Sequence, residues 1–253
     1  LTHPGLAHAG GSTVWLQGTS TSPPWLETKV TGPAHAAFSY RLSAGGGGLL
    51  ISLDGVQQRY TTVIPEMDST GTDWLRIPPG PHTLRWQWQM FSPAAGALNA
   101  ALLDRFVLTP GSAVSLAEAA DAPGLNFTPV SGAWHGWTGP EAAVGGDFIE
   151  AARTGNDPAR MSLQLTGPGT LRWSWMNAQP EYGSTLSAIL EGRVMAESGT
   201  SVRTWQPGFM AVPPGPQTIT FEVTGSAAAG SAALFDNFSW QPASAAITLE
   251  SAV

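Results

Sequence analysis

Cysteine is absent from the 253-residue chain, and lysine occurs once, at Lys29. The first absence excludes a disulfide framework, a thiolate metal site and a cysteine nucleophile. The second, with a net charge of −7, excludes nucleic acid as a partner class, because phosphate binding needs clustered Lys and Arg. Charge of either sign is scarce, 11% of residues against about a quarter in ordinary globular domains. There is no run of 18 apolar residues to cross a membrane as a helix, so membrane insertion is not expected. The chain opens at Leu1 with no basic-then-apolar leader, which places any signal peptide outside it.

Catalytic patterns are also missing. His3, His8, His35, His82 and His135 show no zinc-ligand spacing, and no G-x-S-x-G elbow occurs. No E-x-D-x-x-E pattern, which would set the paired carboxylates of a retaining glycosidase on one strand, occurs. The expectation is a protein that is not an enzyme. Asn126 and Asn237 begin N-x-S/T triplets, which are read as chance matches.

Glycine, with 30 residues, and proline, with 21, are plentiful, as in turn-rich β structure. Helical periodicity is weak; SLAEAADAPG is its best stretch, and Pro123 cuts it short. Period-two alternation is clear in AFSYRL, LRWQWQM, LRWSWM and TITFEV, each beside a Gly-Pro segment read as a turn.

The chain also repeats itself. PPGPHTLRWQW, from Pro78, returns as PPGPQTITFEV, from Pro213, and the TGP segments at Gly32 and Gly167 are offset by the same 135 positions. GGSTVWLQGTSTSPPWLETKVTGP aligns without a gap on GGDFIEAARTGNDPARMSLQLTGP, and LLDRFVLTPGSAVSLAEAA on LFDNFSWQPASAAITLESA. A period of a whole domain predicts an all-β protein of two tandem antiparallel β-sandwich (jelly-roll) domains. The boundaries are 1–110 for the first repeat, 111–243 for the second, and 244–253 for the opening strand of a further repeat or a strand donated to a neighbour. Copy one has no counterpart of GLNFTPVSGAWH, Gly124 to His135, so its sandwich is expected to lack an opening strand and expose an edge.

The order of these features (a VTGP strand, a strand ending in SLDG, a Trp-containing loop, PPGPHTLRWQW and a closing LLDRF strand) resembles the tandem jelly-roll modules of large secreted and surface proteins of environmental bacteria. Such modules are similar to MAM, concanavalin-like and carbohydrate-binding-module sandwiches. Ala36, where the pattern has Leu, and Glu191, where it has Asp, depart from it. The resemblance implies a non-catalytic module that is secreted or at the cell surface.

Alternation assigns faces. Phe38, Tyr40, Trp86, Trp88, Trp173 and Trp175 share the inward side, so these rings are expected in the cores. A ligand face would be the opposite one, with Ser39, Arg41, Arg85, Gln87 and Gln89 in copy one, and Arg172, Ser174, Asn177 and Glu222 in copy two. These side chains can bond sugar hydroxyls, and they equally suit a plain solvated sheet face. Trp74 and Trp205, read as occupying the same loop of the two copies, are the aromatic candidates, against the alternative of plugs at the sandwich ends.

Asp104 and Asp236 stand at matched positions inside apolar closing strands and need partners. Calcium is one solution, since it takes six to eight oxygens and modules of the resembled kind often carry it. Backbone N–H donors at a sandwich corner are the other. Asp147 and Glu150 would join a site in copy two alone.

Two functions stand: a structural or adhesive repeat that assembles head to tail with neighbouring copies of the same chain into a filament, and a lectin-like module that binds polysaccharide. For assembly, Ile247 and Leu249 form the apolar side of the strand that would add to the open edge of the next copy. Copy two loses the polar face of copy one, which favours the structural reading.

Overall fold

The computed structural model describes residues 13–17, 22–43, 47–63, 69–90, 100–153, 157–178, 184–198, 203–225 and 232–243. The chain divides into two compact units, Leu1–Ser112 and Ala113–Val253. Each unit is an antiparallel β-sandwich.

Unit 1 contains β1 (Val14–Gln17), β2 (Trp25–Leu42), β3 (Gly47–Leu53), β4 (Val56–Val63), β5 (Ser69–Met90) and β6 (Ala100–Pro110), in the sheet order β1-β6-β2-β5-β3-β4. Two of these strands serve both layers. The first half of β2 pairs with the second half of β5, and beyond Gly32 and Gly80 the other halves continue the same ladder. β3 joins β5 only at 84–90, and β6 joins β2 only at 34–42, so each neighbour extends one layer. Phe38 shows the fold-over directly. It lies twelve residues beyond Leu26, the partner of Trp86, or about 40 Å along an extended strand. Yet the Phe38 and Trp86 rings meet edge to face at 5.5 Å.

The Gly-Pro segments are therefore bends inside continuous strands, where turns between strands were expected. Two glycines in each unit make them possible. Gly80 and Gly215 have φ of 104° and 92°, which a side chain disfavours. Gly32 and Gly167 are needed for closeness: a Cβ there would lie 1.9 or 2.0 Å from the carbonyl oxygen of Pro78 or Pro213.

Unit 2 repeats the plan and adds to it. It runs β7 (Ala113–Val114), α1 (Leu116–Ala119), β8 (Phe127–Ser131), β9 (Ala133–Thr138), β10 (Asp147–Ala152), β11 (Ala159–Asn177), β12 (Thr185–Leu190), β13 (Arg193–Ser198), β14 (Gln206–Thr224) and β15 (Ala232–Pro242). The order β13-β12-β14-β11-β15-β10-β9-β7, with β8 on β11, matches unit 1 from β10 onward when β11 is set on β2 and β14 on β5. The helix is the one read from the sequence, a single turn whose N-terminus Ser115 caps by accepting from the Glu118 N–H.

Each unit has its own core. Trp86, Trp88 and Phe38 are buried in the first, and Trp173, Trp175 and Phe221 in the second, as alternation predicted. Tyr40 packs against the first core from its margin. It is half-buried, its ring covers Gly71, and burial and the charge of Asp73 hold its hydroxyl pKa up despite a bond with Thr61.

Candidate functional site

The bend decides which candidate residues meet. Arg85, Gln87 and Gln89 lie after Gly80, in the layer made by β3, β4 and the first half of β2. Ser39 and Arg41 lie after Gly32, in the other layer. The expected face joining Arg41 to Arg85 is thus split in two, and Ser39 is buried. In copy two Asn177 is likewise buried, its amide donating to the Ser184 carbonyl.

What remains together is a row across four strands. Trp25 pairs with Gln87, Gln87 with Leu50, and Leu50 with Tyr60. Directly opposite residues share a face, and the neighbours Leu49, Ile51, Trp86 and Trp88 point into the core, so this row points out. Trp25 is 56% exposed. Arg85 lies over its ring, 4.7 Å from the centroid, and donates to Glu27 at 2.6 and 3.0 Å. The guanidinium thus fixes the indole, while Gln87 lies within the row and Gln89 borders it. Trp25, Glu27 and Tyr60 were not among the residues expected on this face; carrying the alternation of AFSYRL back through TGP to Trp25, Glu27 and Lys29 places two of them there.

Unit 2 replaces this row residue for residue. Arg160 pairs with Glu222, Glu222 with Ser187, and Ser187 with Glu197. Arg160 Nε donates to Glu222 at 2.5 Å. A row of Trp, Gln, Leu and Tyr has become one of Arg, Glu, Ser and Glu.

The loop aromatics are a second correction. Trp74 is in β5, paired with Ala37 and tilted against His35 at 5.5 Å. Its counterpart is Phe209, 66% exposed and paired with Arg172. Trp205 precedes β14 and donates from its indole N–H to the Glu141 carbonyl at 2.8 Å. The offset of 135 positions that relates β5 to β14 sets Trp205 against Thr70, so sharing a segment did not mean sharing a position.

The two closing-strand aspartates also part company. Asp236 is fully buried and accepts backbone N–H bonds from Ala143 at 2.7 Å, Val144 at 3.1 Å and Asn237 at 2.5 Å. Burial pushes its pKa up to about 6, against the pull of those donors. Asp104, expected to be buried, is half-buried at the surface and accepts from the Arg105 N–H at 2.7 Å. Asp147 is raised by burial and by the charges of Asp121 and Glu118. Among the described residues no three acidic or histidine side chains converge as metal ligands, and the donors on Asp236 are those of a hydrogen-bonded corner. Ile247 and Leu249 lie outside the described residues.

A cleft of about 380 Å³ opens at the edge of unit 1, walled by Leu26, Thr28, Phe38, Trp86, Leu103 and Phe106. Phe106 is 43% exposed there.

No protein-family model matches the chain, and no curated protein matches it in sequence. Among solved structures it is similar to the tandem CBM51 modules of a family 98 glycoside hydrolase from Streptococcus pneumoniae, at 10% identity and TM-score 0.35, over 92% of this chain and 84% of that one. It is similar to the tandem CBM22 domains of a Paenibacillus barcinonensis protein, at 11% identity and TM-score 0.35, over 96% and 90%. The K3 adhesin domain of Lys-gingipain from Porphyromonas gingivalis matches 52% of the chain with 100% of its own, at 12% identity and TM-score 0.37. With TM-scores below 0.5, none of them specifies a ligand for this chain.

Proposed function

We propose that unit 1 is a non-catalytic module of a secreted or cell-surface protein that binds a polysaccharide along the Trp25–Tyr60 row. One observation carries this reading: the outward row holds Trp25, Leu50 and Tyr60 around Gln87 in unit 1, where unit 2 has Arg160, Glu222 and Glu197 around Ser187 on the same backbone frame. An indole left 56% exposed on the outer face offers a flat apolar surface on which the apolar face of a sugar ring can pack. Arg85, Gln87 and Gln89 supply donors and acceptors for hydroxyls beside it. Three inter-strand spacings, about 14 Å, give the row the length of a short oligosaccharide.

The scarcity of charge and the lack of cysteine suit an exported bacterial module. No helix among the described residues is long and apolar enough to cross a membrane. Affinity gel electrophoresis against a panel of soluble plant, fungal and bacterial polysaccharides tests the reading. Retardation by at least one, lost in Trp25→Ala, is expected. Retardation that survives Trp25→Ala, or none with any polysaccharide, contradicts it.

A further inference from the structure

The two rings at the ends of the outward row are placed differently, and both placements favour the same side of it. Arg85 reaches the Trp25 indole from the row of Glu27, so the guanidinium covers the indole on that side. The opposite side is that of Gln89, whose partner in β3 is Gly48. Tyr60 lies over this glycine: a Cβ on Gly48 would come 2.5 Å from its ring and from its hydroxyl oxygen. A side chain there would lift the ring off the sheet. The track that remains runs from Trp25 past Gln87 and Gln89 to Tyr60, across β2, β5, β3 and β4.

Ring and glycine occur together. In unit 2, Glu197 stands opposite Ser187 where Tyr60 stands opposite Leu50, and Thr185 pairs with Thr224 where Gly48 pairs with Gln89. The unit with no ring to lay down has a β-branched residue in place of the glycine. A glycine inside a strand weakens it, so Gly48 serves something other than the sheet, and the ring laid over it is what it permits.

The track is also neutral. Trp25, Gln87, Gln89, Leu50, Tyr60 and Thr62 carry no formal charge, and the adjoining Arg85 and Glu27 are bonded to each other at 2.6 Å. Lys29 lies one row further, opposite Thr83. A uronate or sulfate group laid on the track would give up water without a cation to receive it, because Arg85 is already engaged. The net charge of −7 repels a polyanion further. Amide and hydroxyl groups suit sugar hydroxyls instead.

Resting on the reading of the row as a polysaccharide site, we propose that its ligand is an uncharged, extended glycan chain that lies across the four strands with sugar rings on Trp25 and Tyr60 at once, and that Gly48 positions Tyr60 for it. Three inter-strand spacings, about 14 Å, separate β2 from β4, so a chain of roughly three or four sugar units reaches both rings.

The test is affinity electrophoresis of the full chain in gels containing glucomannan, xyloglucan or barley β-glucan, which are neutral and extended, and polygalacturonate or alginate, which are polyanions. Retardation by at least one neutral polymer and by neither polyanion is expected. Trp25→Ala and Tyr60→Ala should each weaken it about fivefold or more, through the loss of one stacked ring. Gly48→Ala should weaken it to the same extent as Tyr60→Ala and cost nothing further in a Tyr60→Ala background, which a merely damaged sheet would not show. A further loss in that background would overturn the positioning role. Retardation by polygalacturonate or alginate that Trp25→Ala abolishes would leave a glycan site in place and overturn its neutral ligand. Retardation by a neutral polymer that needs Trp25 and survives Tyr60→Ala would overturn the track across the strands. No retardation by the three neutral polymers would overturn the proposal, whereas Trp25-dependent retardation by another polymer of the wider panel would still keep the reading of the row.

Discussion

Unit 1 and unit 2 share a ladder, a pair of bends and an aromatic trio, Phe38, Trp86 and Phe106 in the first and Trp173, Phe221 and Phe238 in the second, yet they finish the sandwich differently. In unit 2 β8 lies on β11, Phe127 packs on Phe238, and the Ala120 carbonyl accepts the Phe238 N–H at 2.8 Å. Unit 1 shows the trio with one ring open, and on its outer face it carries an aromatic strip where unit 2 has charges. The comparison teaches that the scaffold depends on inward residues and bends, whereas edges and outward rows are free to acquire separate uses.

Core truncation is the strongest way to challenge that equivalence. Trp86→Ala and Trp173→Ala should each cost about 3–5 kcal/mol in urea unfolding followed by circular dichroism, since both rings sit in cores. A loss in one unit alone would break the equivalence.

The next contrast is sharper. Phe127→Ala should cost about 3 kcal/mol, because a buried ring leaves a cavity, and Phe106→Ala well under half of that, because its ring already meets solvent. Equal costs would mean that the unit 1 cleft is closed in solution.

Asp236 gives an effect of about 1–3 kcal/mol with a definite sign. Its folded pKa, about 6, lies above its unfolded value near 3.8. Between these values the native state holds more protons than the unfolded one, so unit 2 loses stability as pH rises from about 4 to 6 and gains it in acid. Asp236→Asn should flatten that slope, and Asp104→Asn should leave it unchanged. A chelator should not move the melting temperature; a drop on chelation would show an ion on Asp236 in place of its hydrogen-bonded corner. The smallest expected stability change is Trp25→Ala, within about 0.5 kcal/mol, since the residue is at the surface.

These expectations rest on features unequally legible in the sequence. Alternation located the core rings, and the offset between Gly32 and Gly167 announced two like sandwiches. The bends were harder to see. A Gly-Pro reads as the end of a strand, and only the register, Gly32 on Gly80 with pairing resumed at Ala34 on Ile77, shows one strand crossing between layers. That same bend separated Arg41 from Arg85, so local alternation could not say which polar residues would share a face. Asp104 and Asp236 looked alike because burial depends on the segment packed over them, and that segment, from Ala143 and Val144, is remote in sequence. The cleft of unit 1 was not legible, because its walls come from four strands.

The central claim is that the two units share one scaffold and that the Trp25–Thr28 edge, unpaired among the described residues, stands open where β8 covers its counterpart, and amide hydrogen exchange followed residue by residue by NMR tests it most directly. The edge-facing amides among Trp25–Thr28 should exchange at least about 100-fold faster than the β8-facing amides among Arg160–Leu163, while amides turned toward β5 and β14 should be protected alike. Equal protection on the edge-facing side would show that the β2 edge is already covered, and would contradict the account.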